Sequence, residues 1–291
     1  PGLVIATAQD GLLTFNGRAF RQIFPQDAGA RTITSILPTA SGHLLIGTRK
    51  RGVLLYDGRK ITVLHPTLGK VYVTTLAGTE SDLWVGTLNQ GVLHWHAGET
   101  DSFGEAQGLP DRQVQSIAVA GDRAYVGTVL GVAVFEGGRF SRTLAAGVLV
   151  TALLPGAGQL FVGSEDQGVI AIPLEGGRRR NSVPADTSQL AEVHQLFGMD
   201  DAIFAVTRSG LYRKSAHGFG WLPLLHPSAA MLSDGNVSAL ATDSRGRLWV
   251  GYFDRGLDRL ESDQGHATHL ENEHVFCVNR LLNNPKDGTI S

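Results

Sequence analysis

Four arginines, a tyrosine and an asparagine carry the chemistry most open to a ligand: Arg49, Arg112, Arg208 and Arg255, with Tyr72 and Asn236. Guanidinium forks take carboxylate and phosphate groups through paired hydrogen bonds. This set therefore points to a small polar or anionic ligand, or a peptide. His94-Trp95-His96 places two imidazoles two residues apart, a spacing that suits a metal on one strand face. With Leu93 and Trp95 assigned to the core, however, both histidines are expected to face outwards, and no metal is assigned. Glu165-Asp166 is one acidic pair in a turn, and paired-carboxylate catalysis needs converging partners. His65, His194, His226 and His274 fall near linkers or first strands, and nothing singles them out. No G-x-S-x-G elbow, H-E-x-x-H, phosphate loop or Cys/His metal signature occurs. The expectation is a non-enzyme with no catalytic residue and no cofactor.

The elements that must position these residues come from a repeat. The phrase Leu45-Ile46-Gly47-Thr48, followed by Gly52-Val53, returns as Trp84-Val85-Gly86-Thr87, Tyr125-Val126-Gly127-Thr128, Phe161-Val162-Gly163-Ser164 and Trp249-Val250-Gly251-Tyr252. Weaker copies lie at Phe204-Ala205-Val206-Thr207 and Val4-Ile5-Ala6-Thr7. The last positions of these phrases are 41, 39, 41, 36, 43 and 45 residues apart. A second apolar phrase precedes each copy, and its seventh occurrence is Val278-Asn279-Arg280-Leu281. In one unit, strands are expected over 33–37, 44–48, 52–56 and 60–64, with Asp57-Gly58 as a hairpin turn. Four antiparallel strands per period of about 40 residues make a propeller blade. The chain is thus expected to be all-β, a single seven-bladed β-propeller over 1–291. Its closing blade takes one strand from 275–291 and three from 1–24, which removes the exposed edges.

Within a blade, the aromatic residue and the glycine of the repeat share one face. Trp84, Tyr125, Phe161 and Trp249 are expected to pack between blades, and each glycine to leave room for a neighbour's side chain. The Thr hydroxyls are expected to tie down the following turn. Charged fourth strands, with Arg139, Arg142 and the arginine run 178–180, protect the outer edge. The turns between second and third strands, and the linkers that precede first strands, share one end of each blade. They carry the six candidate residues, so the ligand is expected at the mouth of the channel.

Composition agrees with this plan. Of 291 residues, 42% are hydrophobic, 18% are charged and 37 are glycine, which suits short strands and tight turns. A net charge of −2 excludes a polyanion-binding field, so no nucleic-acid partner is expected. One cysteine, Cys277, excludes an intramolecular disulfide. No apolar run reaches the length of a membrane span, so no membrane insertion is expected.

The stretch Asp243-Ser244-Arg245-Gly246-Arg247-Leu248-Trp249-Val250-Gly251, with Gly256-Leu257 after it, resembles the repeat of the two-component regulator propellers. Leu83-Trp84-Val85-Gly86-Thr87 and the linker Gly108-Leu109-Pro110-Asp111-Arg112-Gln113-Val114 resemble it too. The resemblance implies a sensor or ligand-binding region of a bacterial signalling protein, periplasmic or extracellular, cut from a membrane-anchored chain. Further domains are then expected beyond Ser291, where Gly288-Thr289-Ile290-Ser291 begins another second-strand phrase. The alternatives are a protein–protein interaction platform and a propeller lyase or hydrolase.

Overall fold

The computed structural model describes residues 3–6, 11–15, 20–23, 32–174, 190–199, 202–215, 220–223, 233–234, 237–243, 245, 247–252, 255–260, 267–271, 281, 283–284 and 289–290. Each repeat forms an antiparallel sheet whose strands are neighbours in sequence order. The Ile33 blade consists of Ile33–Pro38, Leu44–Thr48, Val53–Tyr56 and Ile61–Val63, in line with the expected strands. Asp57 closes its last hairpin by accepting the Arg59 and Lys60 N–H groups at 2.8 and 2.9 Å, with Gly58 left-handed beside it. The same plan gives four-stranded blades that begin at Val73, Val114, Val193 and Val237. Three-stranded sheets are described from Leu3 and from Val150. The only helices among the described residues are 3-10 turns at Pro66–Leu68 and Glu105–Gln107. The chain is an all-β propeller of four-stranded antiparallel blades.

Two compact units contain these sheets. One comprises Pro1–Leu83, His96–Thr100 and Ala230–Ser291; the other comprises Trp84–Trp95 and Asp101–Ala229. Within each, consecutive blades join in the same way. A Cβ added at Gly47 would meet Val73 Cγ1 at 2.6 Å. At Gly127 it would meet Val150 Cγ1 at 2.6 Å, and at Gly163 Val193 Cγ1 at 2.7 Å. The repeat glycine is therefore the hole that the next blade's first valine fills, as its spacing implied. A hydroxyl reinforces the join: Thr34 Oγ1 donates to the Val73 carbonyl at 2.7 Å, and Thr151 Oγ1 donates to that of Val193. Tyr125 and Phe161 are fully buried, and Trp84 stacks against its neighbours. The fourth strands Glu99–Phe103 and Arg139–Leu144 are largely exposed, and Arg142 pairs with Glu136 across its hairpin at 3.2 Å. The run 178–180 lies outside the described residues.

Five four-stranded blades and the three-stranded sheets from Leu3 and Val150 are formed by the described residues; the expected closing first strand at 278–282 lies, but for Leu281, outside them. Residues 272–280 lie outside them. The strand that is described there, Asn283–Asn284, pairs with Thr289–Ile290. The N-terminal sheet is Leu3–Ala6, Leu12–Phe15 and Phe20–Gln22. Thr289–Ile290 lies in the second-strand phrase expected there. Leu281 is nonetheless buried with Leu13, Ala239, Trp249 and Leu257.

One expectation is overturned, at His94. It does not face outwards: it is buried and stacks on Trp84 with ring centroids 4.0 Å apart, while Trp95 is half-buried. Gly138, from the next blade's hairpin, sits over the imidazole, and Phe135 packs on Trp84 at 5.0 Å. Both faces of an inner strand are covered by adjacent blades. Alternation along it selects a neighbour, not a solvent face.

Candidate functional site

The turns at the expected ligand end are built before any ligand arrives. Thr48 Oγ1 donates to the Gly52 carbonyl at 2.9 Å and accepts the Arg51 N–H at 2.8 Å. Thr87, Thr128, Ser164 and Thr207 do the same for their own turns. These buried hydroxyls are turn clamps, as the repeat implied. Gly52 adopts φ +61°, and a Cβ there would stand 1.6 Å from the Leu68 carbonyl oxygen, so the turn touches the linker backbone and only glycine fits.

Each candidate residue has a definite surrounding. Arg49 is exposed; its N–H donates to the Thr32 carbonyl at 3.2 Å and its guanidinium carbon lies 6.0 Å from the centre of the half-buried Tyr72 ring. Arg112 donates to Glu105 within the same linker at 3.0 Å. Arg208 donates to Glu192 at 2.8 Å, and that contact holds the guanidinium above its ordinary pKa. Arg255 pairs with Asp234 at 3.6 Å. Asn236 lies outside the described residues. The structure thus brings Arg49 and Tyr72 together and gives the other three arginines each a carboxylate. Glu192 also adopts φ +55°, a left-handed conformation uncommon for a side-chain-bearing residue.

One polar cluster was not legible as such. Asp258 is fully buried at the third-strand position that Leu54 occupies in the Ile33 blade. It accepts from the Tyr252 hydroxyl at 2.6 Å, the Ser233 N–H at 2.6 Å, the Ser233 hydroxyl at 2.8 Å and His269 Nδ1 at 2.7 Å. Glu271 lies 3.1 Å from His269 Nε2. Burial pushes the Asp258 carboxyl up, but the Tyr252, Ser233 and His269 hydrogen bonds hold it below the ordinary carboxylate range. Burial pushes His269 down, and the two carboxylates more than reverse this. Burial and the Asp258 contact raise the Tyr252 phenol well above its usual value. Four donors converge on this one internal acceptor, so the cluster anchors the 233–234 linker to its blade. The sequence signal was a carboxylate at a core position of the repeat.

Asp243 explains the motif that carried the resemblance. Its Oδ1 accepts the Arg245 and Arg247 N–H groups at 2.9 and 3.0 Å, and its Oδ2 accepts the Trp249 indole N–H at 3.1 Å. One side chain shapes the turn and fixes the inter-blade aromatic.

Blades of this kind, with Thr-clamped turns and Gly–Val joins, define a repeat propeller. Residues 231–254 match the family model described as "Two component regulator propeller". Over residues 231–254 the chain is similar to that repeat. No curated protein matches it.

Solved structures with the same fold include the extracellular domain of the putative hybrid two component system BT4673 from B. thetaiotaomicron. The identity is 17%, the TM-score 0.61, and the match covers 99% of this chain and 49% of that one. The computationally designed Ika8 protein aligns with TM-score 0.69 and 16% identity over 99% and 92% of the two chains. PorZ, from the type-IX secretion system of Porphyromonas gingivalis, aligns with TM-score 0.64 and 15% identity over 89% and 35%. The chain spans about half the length of the BT4673 domain. No described helix is long and apolar enough to cross a membrane.

Proposed function

We propose that this chain is the sensing propeller of a bacterial two-component-type signalling protein, seven-bladed, non-enzymatic and located outside the cytoplasm. The observation that carries this reading is the regulator-propeller repeat at 231–254, whose Asp243 turn and Trp249 packing are complete in this chain. The extracellular domain of a putative hybrid two component system, which shares the fold, supports the location. Rigid blades hold clamped turns of differing sequence at one end, the usual place for binding residues on a repeat scaffold. The ligand is a small polar or anionic molecule.

The test is a transcriptional reporter driven by the full-length gene product. Deleting this chain in frame should make output independent of the inducing compound. Output that still follows the inducer after the deletion would sink the reading. A second reading, a protein interaction platform, is favoured by Leu88 and Leu130, which stand exposed in two of the turns. Leu130→Asp would then abolish signalling while leaving small-molecule binding intact.

A further inference from the structure

We propose that the corner where the Arg49 turn meets the 65–72 linker is the anion-recognition point of this propeller. Arg49 is the residue that sets specificity there, for a small molecule bearing clustered anionic oxygens. The proposal rests on the ligand-binding reading above and assigns its chemistry to one place.

Arg49 and Arg208 each follow the clamping threonine, and each donates its N–H to the residue before its blade's first strand, at 3.2 Å in both cases. At Arg208 that residue is Glu192, which takes the guanidinium as well. At Arg49 it is Thr32, and among the described residues no carboxylate pairs with the side chain. The guanidinium lies over Tyr72 instead. At that distance the ring offers a cation–π contact and does not occupy the guanidinium as a carboxylate would.

The two segments are rich in positive charge: Lys50 and Lys70 are exposed, and the only carboxylate in the sequence between Thr48 and Val73 is Asp57. Asp57 belongs to the hairpin at the other end of the blade and is occupied by the Arg59 and Lys60 N–H groups. In a chain of net charge −2, this is a local concentration of positive charge. The two segments that carry it are held against each other, because Gly52 packs on the Leu68 carbonyl and Thr48 clamps the turn. Little ordering therefore remains to be done when an anion binds.

Calorimetric titration of the folded chain at low salt, with pyrophosphate and with citrate as separate probes, tests this and separates phosphate-type from carboxylate ligands. At least one should bind with a Kd below about 5 mM and weaken as sodium chloride is added. Arg49→Ala should weaken it at least about tenfold, while Arg208→Ala changes it less than about twofold. Tyr72→Phe should retain binding. Both arginines are exposed, and the melting temperature of each variant checks that the fold is intact. Binding of neither anion, or an Arg49→Ala loss no larger than that of Arg208→Ala, overturns the corner. The deletion experiment with the reporter would still decide the sensor reading by itself.

Discussion

Thr48 and Tyr252 end the same strand in two blades and hold the same turn by different means. In both, the backbone N–H donates to the carbonyl of a glycine four residues on, at 3.0 Å, and that glycine is left-handed. Thr48 adds its hydroxyl to the same carbonyl. Tyr252 is too long to do so, and its phenol reaches Asp258. A carboxylate at that depth is tolerable only when fully partnered, and Ser233 and His269 supply the partners. The backbone and glycine fix the turn; the side-chain clamp is exchangeable, and the exchange introduces ionisable groups into one blade only.

The largest break in this comparison is Asp258→Ala. It leaves the Tyr252, Ser233 and His269 donors without their acceptor and should destabilise the fold by about 3–5 kcal/mol in urea unfolding. A loss under about 1 kcal/mol would show that the cluster is not the anchor described. The pair Tyr252→Thr with Asp258→Leu rebuilds the chemistry of the Ile33 blade. It removes the Tyr252 donor and refills the carboxylate's volume but leaves Ser233 and His269 without their acceptor, so it should recover part of that loss, about 1–2 kcal/mol. A double variant as unstable as Asp258→Ala would mean that the tyrosine ring itself is needed. Thr48→Val should cost about 1–3 kcal/mol, since it leaves the Arg51 N–H without its acceptor; an unchanged urea midpoint would remove the clamp from the account of the turn.

The smallest effect is on pH dependence. The Asp258 carboxyl is lowered in the native state. Its contribution is therefore present above the unfolded carboxylate pKa of about 3.9 and is lost as pH falls through the lower native value. His269 is raised, so its contribution is present below the unfolded value of about 6.5 and is lost as pH rises through the native one. Wild type should lose more stability than the double variant at both extremes. Parallel stability–pH curves for the two proteins would contradict this.

Much of the blade was legible because its rules are local. The hydroxyl clamps, the left-handed turn glycines and the aromatic–glycine pairing follow from residues a few positions apart. The Asp57-Gly58 hairpin and the Ile33 strands were readable for the same reason. His94 was misplaced because alternation assumes one solvent face, and here the next blade covers that side. Closure across the termini falls on a first strand that lies, but for Leu281, outside the described residues. The rim arginines were readable as a class but not individually. Whether each meets Glu192, Asp234, Glu105 or an aromatic ring depends on the linker conformation.

The Gly–Val join has a direction. Gly47, Gly127 and Gly163 each receive a valine from the blade that follows in sequence. The join is the same at these three steps, while the weaker copies place Ala6 and Val206 at the glycine position, so in-frame duplication of a glycine-bearing repeat of ~41 residues creates a new contact of the same type. A glycine-bearing repeat can therefore be added whole without a compensating substitution at its joins, whereas an insertion inside a strand would set valine and glycine out of phase.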